Sequence, residues 1–273
     1  MAYKRILTVQ DISCLGQCSM TVALPVLSAC GHETCILPSK LLSTHTGGFG
    51  IPSVQDLSAG MEGILRHWRS QGIHFDAIYS GYLGSVEAIC AVEEIIDTML
   101  VPGGVFVADP AMADHGKLYA GLDVNYAQTM IRLCNRADVV IPNLTEAAMM
   151  IGIPYSEDAT EIERILSQLE GKTVILTGVG NSPEETGVAI RTDAGIVYYR
   201  HKRVNKNYHG TGDLFASCFT GLWLRGLPLT KAASVAAELT CNCVQKTYDD
   251  PANWYGIRLE SALSELICLL ADK

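Results

Sequence analysis

Residues 209–219 read HGTGDLFASCF, and they carry the strongest signal for the fold of this chain. Two glycines, Gly210 and Gly212, let the backbone turn tightly and bring its amide groups close to a ligand. An apolar helix is predicted to begin directly afterwards at Leu214, so unpaired N–H groups and the positive end of the helix dipole face the same spot. The stretch therefore predicts an anion-binding loop at the start of a late helix.

The carboxylate of Asp213 stands at this helix start, where it would face a bound anion. On local evidence it is either a plain helix cap or a general base. A base explains the position if the anion is a phosphoryl group in transfer, because the carboxylate can then accept the proton of the attacking hydroxyl. The sequence contains neither G-x-x-x-x-G-K-[ST] nor a G-x-G-x-x-G after the first strand, which argues against P-loop NTPases and classical dinucleotide enzymes.

Short runs rich in valine and isoleucine alternate with longer helical segments upstream of this loop. The predicted strands cover residues 5–9, 75–79, 105–108, 139–141 and 174–177. The predicted helices cover residues 53–71, 86–100, 125–135, 145–151 and 159–169, and a mainly helical tail runs from 214 to 270 with breaks at 226–228 and 249–251. This alternation implies right-handed crossovers, a mostly parallel sheet and a single α/β domain over residues 1–273.

Two segments depart from that pattern. Residues 188–190 and 196–203 flank a turn at 192–195 and predict an antiparallel hairpin at one edge of the sheet. Residues 36–50, ILPSKLLSTHTGGFG, are too polar and too rich in glycine to be a core strand throughout. We expect this segment to form a lid or flap over the mouth of a site.

Polar side chains follow nearly every predicted strand. These strand-end groups are Gln10-Asp11, Ser80-Gly81-Tyr82, Asp109-Pro110, Pro142-Asn143 with Glu146, and Thr177-Gly178. Each alone is typical of a turn or a helix cap, but ligands of open α/β sheets bind beyond the carboxyl ends of the strands. Their convergence on one rim therefore predicts a ligand site.

The chain has 273 residues and a formal net charge of -9, which disfavours nonspecific nucleic-acid binding. An anionic substrate would need a local positive field, a helix dipole or a metal ion. The basic run 200–203 with Lys206 fits either a solvated edge strand or a positive field near a nucleotide. The ten cysteines include no CxxC pair, and there is no export signal or apolar run of about 18 residues. We therefore expect a cytoplasmic protein with reduced core cysteines and no membrane contact.

These features together resemble the ribokinase superfamily, and within it the pyridoxal kinase branch. The resemblance covers most of the chain. Beside the Gly-Thr-Gly-Asp loop, it rests on Gln10, the segments 43–47 (STHTG) and 80–84 (SGYLG), Asp109-Pro110, and Pro142-Asn143 with Glu146. It implies a ribokinase-like α/β fold, with helices on both faces of the sheet and a small lid. It also implies ATP-dependent phosphorylation of the 5′-hydroxymethyl group of the vitamin B6 vitamers pyridoxal, pyridoxamine and pyridoxine.

The same resemblance implies a role for each matching position. Asp213 would be the catalytic base, beside an anion hole formed by the backbone of Gly210, Thr211 and Gly212. The residues expected to bind the vitamer are Asp11, His45, Thr46, Tyr82 and Asp213. The residues expected to bind ATP are Asp109, Asn143, Glu146, Thr177, Gly178, Gly210 and Gly212. Mg²⁺ would be held by Asp114 and Glu146, and the family also suggests a monovalent cation such as K⁺ and a homodimer.

Three positions depart from the pattern of pyridoxal kinases. Many relatives have serine where this chain has Asp11, whose carboxylate can pair with the amine of pyridoxamine or with a protonated ring nitrogen. We therefore expect Asp11 to shift the preference toward pyridoxamine. In the lid, Thr44 replaces a frequent asparagine and Gly48 replaces a frequent aromatic residue, which affects its detailed contacts.

Three alternatives stay open at this stage. One is another kinase of the same superfamily, acting on hydroxymethylpyrimidine or a sugar. Another is a vitamin carrier that kept the fold without the chemistry, although a carrier needs no base, anion loop and metal carboxylates together. The third is a metal-dependent hydrolase, for which the sequence offers no H-E-x-x-H motif.

Overall fold

A computed structural model describes residues 3–156, 158–169, 172–182, 184–192, 194–204, 206–250 and 252–271. Asp193 and Pro251, which belong to the turns predicted at 192–195 and 249–251, lie outside the described residues. The strands of the described residues are β1 Arg5–Ser13, β2 Glu33–Leu42, β3 Val54–Asp56, β4 Phe75–Ser80, β5 Leu100–Ala108, β6 Ala113–Asp114, β7 Lys117–Leu118, β8 Val139–Val140, β9 Thr173–Thr177, β10 Glu185–Thr192 and β11 Gly195–Lys202.

Helices connect most of these strands. They are α1 Met20–Ala29, α2 Ser58–Ser70, α3 Val86–Met99, α4 Val124–Cys134, α5 Leu144–Ile151, α6 Ala159–Gln168, α7 Thr211–Leu224, α8 Leu229–Tyr248 and α9 Leu259–Ala271. Within the described part of the chain, none of them combines the length and apolar character that a bilayer crossing requires.

The main sheet has the strand order β11-β10-β9-β8-β5-β4-β1-β2-β3. The pairs from β9 through β2 are parallel, while β3 at one edge and the β10–β11 hairpin at the other are antiparallel. The predicted edge hairpin and the predicted mostly parallel α/β sheet are therefore confirmed. Because the central strands are parallel, their carboxyl ends all lie at one rim.

Apolar side chains cover both faces of this sheet. Successive residues of a strand point to opposite faces, so Ile6 packs with α1, α7, α8 and α9, whereas Leu7 packs with α2, α3 and α4. A third cluster joins α5 and α6 to β9 and β10. This double covering explains why the central strands are apolar without alternation.

Helices α1 and α7 pack closely together, and this contact fixes the start of α7 at the rim. A Cβ atom on Gly221 would lie 2.6 Å from the Cys30 sulfur, so only glycine permits the observed approach. The His32 Nε2 atom donates to the Gly221 carbonyl at 2.9 Å, and Arg225 donates to the Cys30 carbonyl at 2.9 Å. Both helices therefore hold a fixed position relative to each other.

Three elements differ from the sequence prediction. The sequence did not predict helix α1, because the helix is apolar along most of its length and contains Pro25. Residues 36–42, which we predicted as part of the lid, lie in β2, where polar side chains such as Ser39 are buried beside the site. Residues 53–71 form β3 and α2 rather than one helix. The rest of the lid segment forms the loop at 43–50, and the single-domain organisation over 1–273 stays a prediction.

Candidate active site

The end of β1 brings Asp11 into the rim through a bulge. The pairing of β1 with β2 shifts between Gln10 and Ile12, and such a bulge re-aims a side chain. The Asp11 amide donates to the Tyr82 carbonyl at 3.1 Å, beyond the end of β4. The Asp11 side chain is only 4% exposed, and the Ser13 hydroxyl donates to its Oδ2 at 3.4 Å. Asp11 is therefore a buried carboxylate with few hydrogen bonds.

The predicted anion loop forms the start of α7. Gly210 has a φ of 86°, and a Cβ atom there would lie 2.1 Å from the Gln17 carbonyl oxygen, so the position requires glycine. The Thr211 hydroxyl donates to the Tyr208 carbonyl at 2.8 Å and steadies the turn. Among the described residues no side chain caps α7, and space is open above Gly212. The first amides of the helix thus remain available to an anion.

Asp213 lies in the first turn of α7 and is half-buried. Burial raises the pKa of Asp213, because desolvation disfavours the charged form and outweighs the opposite effect of the nearby backbone. A carboxylate with a raised pKa beside an anion loop is a competent proton acceptor.

Glu146 and Asn143 form a reciprocal capping box at the start of α5. Glu146 is 2% exposed, and its Oε2 accepts the Asn143 amide at 2.9 Å. Its Oε1 accepts the Met112 amide at 2.8 Å and the Ala113 amide at 3.4 Å. The Asn143 side chain donates to the Ala113 carbonyl at 2.7 Å. Asn143 and Glu146, both predicted to bind ATP, therefore connect the backbone after β5 to the start of α5 through hydrogen bonds.

The predicted nucleotide residues of β9 lie next to this box. The Thr177 amide and hydroxyl both donate to the Pro142 carbonyl, at 2.9 and 3.3 Å. Thr177 also forms an isolated bridge with Asn143, and Gly178 follows with a φ of 76°. The Asp109 amide donates to the Ser80 carbonyl at 2.9 Å, which places Asp109 at the same rim.

Asp114 is exposed near Glu146, and its negative charge raises the pKa of Glu146. Its Oδ1 accepts the His115 amide at 2.8 Å, and its Oδ2 lies 3.6 Å from His115 Nε2. Among the described residues, no three His, Cys, Asp or Glu side chains form a metal-binding group. Mg²⁺ typically binds one or two carboxylates together with water and substrate phosphates. The pair Asp114 and Glu146 fits an ion that arrives with a nucleotide.

Four carboxyl groups of the rim have pKa values above the usual range. Burial is the main cause in each case, and it raises the pKa of Asp11 to about 6 and that of Glu146 to about 7. For Glu146, three backbone hydrogen bonds oppose the effect of burial. The negative charge of Asp213 adds to the increase at Asp11. Asp109 is raised further by Glu146 and Asp213, so the four groups act on one another across the rim.

Strained backbone supports two of the predicted site carboxylates. Of the described residues other than glycine, only Ser19 (φ 47°), Ala111 (φ 39°) and His115 (φ 48°) have a positive φ, which costs about 1–3 kcal/mol each where it persists. The Ala111 amide donates to Asp109 Oδ1 at 3.1 Å, and the His115 amide donates to Asp114 Oδ1 at 2.8 Å. Two of the three strained residues therefore lie beside predicted site carboxylates.

The lid loop contacts the anion loop through two stacked imidazoles. The rings of His45 and His209 are 4.5 Å apart with an interplanar angle of 27°. The His45 Nδ1 accepts the Gly47 amide at 3.0 Å, so Nε2 carries the proton and donates to the Tyr255 carbonyl at 2.6 Å. Burial and the neighbouring His209 lower the pKa of His45. Both ring nitrogens of His45 are therefore engaged by backbone, and its ring is buried against His209 and Phe49.

The structure brings most predicted site residues to one rim, and it adds others. Thr46 is exposed on the lid loop, and Tyr82 is half-buried near Asp11. Burial is the main reason that the pKa of the Tyr82 phenol is raised, and the negative charge of Asp11 raises it further. His209 and Tyr255 have no role in the sequence prediction. His209 directly precedes the glycine loop in the sequence, whereas Tyr255 meets His45 only in the fold.

A cleft of about 500 Å³ lies nearby between the β1–α1 loop and residues 250–260. Gly16, Gln17, Tyr255 and Arg258 are among the residues that line it. Within the described part of the chain, none of the predicted catalytic or binding residues lines this cleft. The predicted site residues therefore lie at the strand-end rim and outside this cleft.

A doubly covered, mostly parallel sheet with an anion loop and a carboxylate at its strand ends defines an α/β phosphotransferase. A family model described as phosphomethylpyrimidine kinase matches residues 64–253. The pyridoxal kinase of Arabidopsis thaliana is 26% identical over 270 residues, which cover 90% of this chain and 83% of that protein.

Solved structures agree with that class. The pyridoxal kinase from Lactobacillus plantarum has a TM-score of 0.92, 33% identity, and 99% coverage of both chains. A putative phosphomethylpyrimidine kinase from Bacteroides thetaiotaomicron, crystallised with pyridoxal, has a TM-score of 0.91 and 34% identity, covering 97% of this chain and 96% of that one. The chain therefore belongs to the phosphomethylpyrimidine kinase family and shares the ribokinase-like fold of pyridoxal kinases.

The raised pKa of Asp11 predicts that this group destabilises the ligand-free protein at alkaline pH. With a folded pKa of about 6, above its unfolded value, the group favours folding in acid and loses this contribution as pH rises through about 6. Asp11→Asn should therefore raise the free energy of unfolding at pH 8 by about 1–3 kcal/mol, with little change at pH 4. Urea unfolding measures this. The exposed Glu62→Gln is the control, and a loss of stability at pH 8 in Asp11→Asn would contradict the prediction.

Proposed function

We propose that this chain transfers the γ-phosphoryl group of ATP to the 5′-hydroxymethyl oxygen of a vitamin B6 vitamer, in salvage of pyridoxal 5′-phosphate. The observation that carries the proposal is the Asp213 carboxylate in the first turn of α7, directly after the left-handed Gly210. The similar protein from Lactobacillus plantarum is a pyridoxal kinase, and the Bacteroides relative was solved with pyridoxal. Pyridoxal, pyridoxamine and pyridoxine are the proposed substrates.

In the proposed reaction, Asp213 accepts the proton of the vitamer hydroxyl. The freed oxygen forms a bond to the γ-phosphorus, the bond from that phosphorus to the bridging oxygen breaks, and ADP leaves. Because the Thr211 and Gly212 amides lie at the start of α7, they can receive the charge of the phosphoryl group together with the helix dipole. The raised pKa of Asp213 helps it take the proton near neutral pH.

The nucleotide is proposed to lie along the ends of β5, β8 and β9. The residues for this role are Asp109, Asn143, Glu146, Thr177 and Gly178. Mg²⁺, when bound, neutralises part of the phosphate charge, and Asp114 and Glu146 are the proposed residues to hold it, Glu146 through water because backbone amides occupy its oxygens. A monovalent cation such as K⁺ remains part of the proposal.

The vitamer is proposed to lie between β1, β4 and the lid loop. Asp11 and Tyr82 provide a carboxylate and a phenol at its ring, and the lid residues Thr46 and His45 are proposed to cover it. Closing this loop would exclude water, which competes as a phosphoryl acceptor. A cationic vitamer also relieves the repulsion between Asp11 and Asp213, since it brings positive charge between two carboxylates.

We also propose a cytoplasmic homodimer. All ten cysteines are unpaired in the structure, which suits a reducing compartment. Exposed apolar side chains, including Leu24 and Ile267, offer surface for self-association.

A second candidate substrate is hydroxymethylpyrimidine, which carries a similar CH₂OH on a nitrogen ring. The family model that matches residues 64–253 favours it. A panel of pyridoxal, pyridoxamine, hydroxymethylpyrimidine and ribose, with product phosphorylation followed by mass spectrometry, separates the candidates. The largest kcat/KM for hydroxymethylpyrimidine would replace the B6 proposal.

Asp213→Asn should lower kcat by roughly 10²–10⁴-fold, because it removes the proton acceptor. Binding of ADP and pyridoxal should change by no more than a few-fold, since asparagine keeps the shape of the side chain. A coupled assay of ADP release measures kcat, and calorimetry measures binding. Asp249→Asn, at the exposed end of α8, is the control. A kcat near that of the wild type would remove Asp213 from the role of base.

Asp11→Ser should lower the ratio of kcat/KM for pyridoxamine to that for pyridoxal by about tenfold. The loss of one charge-assisted hydrogen bond to the amine has this magnitude. The test compares both vitamers at saturating ATP in the wild type and the variant. An unchanged ratio would show that Asp11 does not recognise the amine.

A further inference from the structure

The lid loop, residues 43–50, is closed at its base but has few side chains that can fix its tip. At the base, the Ser43 amide donates to the Ser53 carbonyl at 2.9 Å, and the Ser53 amide donates to the Ser43 hydroxyl at 3.0 Å. Beyond the base the sequence is THTGGFG, in which three glycines give the backbone wide conformational freedom. Phe49 is the one apolar side chain of this stretch. The position of the tip therefore depends on the contacts of His45 and Phe49.

A second segment supplies these contacts. Residues 252–257, here named the strap, lie in the connection between α8 and α9. The rings of Trp254 and Tyr255 lie 5.0 and 5.6 Å from the Phe49 ring, and 5.5 Å from each other. The His45 Nε2 atom donates to the Tyr255 carbonyl at 2.6 Å. Both His45 and Phe49 therefore rest on the strap.

The strap also contacts the anion loop, and the lid backbone passes close to both. The Ile257 amide donates to the His209 carbonyl at 3.2 Å. A Cβ atom on Gly47 would lie 1.7 Å from His209 Nε2, and a Cβ atom on Gly48 would lie 2.7 Å from Trp254 Cζ3. The lid loop, the strap and the anion loop thus form one contact region.

Trp254 contributes little to the core of the protein. Half of its surface is exposed, and none of the three apolar clusters of the described residues includes it. Aromatic rings at this separation attract each other in addition to the apolar area that they bury. Core packing therefore does not explain a tryptophan at this position, whereas its contact with Phe49 on the lid does.

We propose that Trp254 is a positioning residue whose contact with Phe49 holds the lid loop against the anion loop, over the vitamer. The place of the vitamer rests on the proposed function, and the contact among lid, strap and anion loop rests on the geometry. An aromatic pair of this kind changes a two-state equilibrium by about two- to tenfold. Trp254 thus raises the fraction of molecules with a closed lid, which keeps water away from the phosphoryl group.

Trp254→Ala should raise the KM for the vitamer by about two- to tenfold and leave the KM for ATP unchanged, because it releases the lid and not the nucleotide site. More ADP should be released per vitamer phosphorylated, since an open lid admits water as the acceptor. Trp254→Phe keeps a ring against Phe49 and should restore both values to near those of the wild type. Tyr248→Ala is the matched control, because Tyr248 is also 50% exposed but belongs to α8.

A second variant acts on the lid from the side of the anion loop. The φ of Gly47 lies outside the left-handed region, so alanine fits the backbone, but its Cβ atom would collide with the His209 ring. Gly47→Ala should therefore displace the lid and reproduce both the higher KM for the vitamer and the extra ADP release. Gly63→Ala is the control, because a Cβ atom at this exposed position of α2 would meet open space.

A fluorescence measurement does not depend on activity. The chain has three tryptophans, so a variant with Trp68→Phe and Trp223→Phe leaves Trp254 as the only one. In that background, acrylamide should quench the fluorescence of Trp254 more strongly after Phe49→Ala or Gly47→Ala, because the indole loses the cover of the lid.

Two results would overturn the proposal for Trp254. One is a Trp254→Ala variant with the kinetic constants of the Tyr248→Ala control, and Gly47→Ala decides this point if Trp254→Ala does not fold. The other is quenching of Trp254 that Phe49→Ala and Gly47→Ala both leave unchanged. A wild-type chain that phosphorylates no B6 vitamer would overturn the proposed function instead, and the quenching experiment would then decide whether Trp254 holds the lid.

Discussion

The structure depends on the desolvation of four carboxyl groups that are gathered in one rim. Asp11, Asp109, Glu146 and Asp213 all have raised pKa values with burial as the main cause. Charged groups in such surroundings need hydrogen bonds or counter-charges. Here backbone amides supply the hydrogen bonds, and a metal–nucleotide complex and a cationic vitamer would supply the charges. The ligand-free protein thus has a negatively charged site, and bound substrates would neutralise part of that charge.

Several local features follow from that constraint. The bulge in β1 aims Asp11 at the rim, and the capping box of α5 gives Glu146 its backbone donors. The positive φ of Ala111 and His115 accompanies amide hydrogen bonds to Asp109 and Asp114, at a conformational cost. The apolar layers on both faces of the sheet offset this cost.

Much of this arrangement could be predicted from the sequence, because parallel strands place their carboxyl ends at one rim. The apolar runs predicted β4, β5 and β9, and the polar residues at the ends of these strands include Asp109 and Thr177. Helix α1 was missed since Pro25 and its apolar composition hide the helical period. The bond from His45 to the Tyr255 carbonyl could not be predicted, since it joins distant parts of the chain and arises only in the fold. The backbone bonds of Glu146 likewise depend on the segment after β5.

The most direct measurement is a crystal structure of the wild-type chain with Mg²⁺, a nonhydrolysable ATP analogue and pyridoxamine. The account predicts the 5′-oxygen at about 3 Å from an Asp213 carboxylate oxygen, which is the reach of a general base. It also predicts the γ-phosphate on the amides that begin α7. A complex with the 5′-oxygen well beyond hydrogen-bonding reach of Asp213, or with the γ-phosphate bound away from α7, would contradict it.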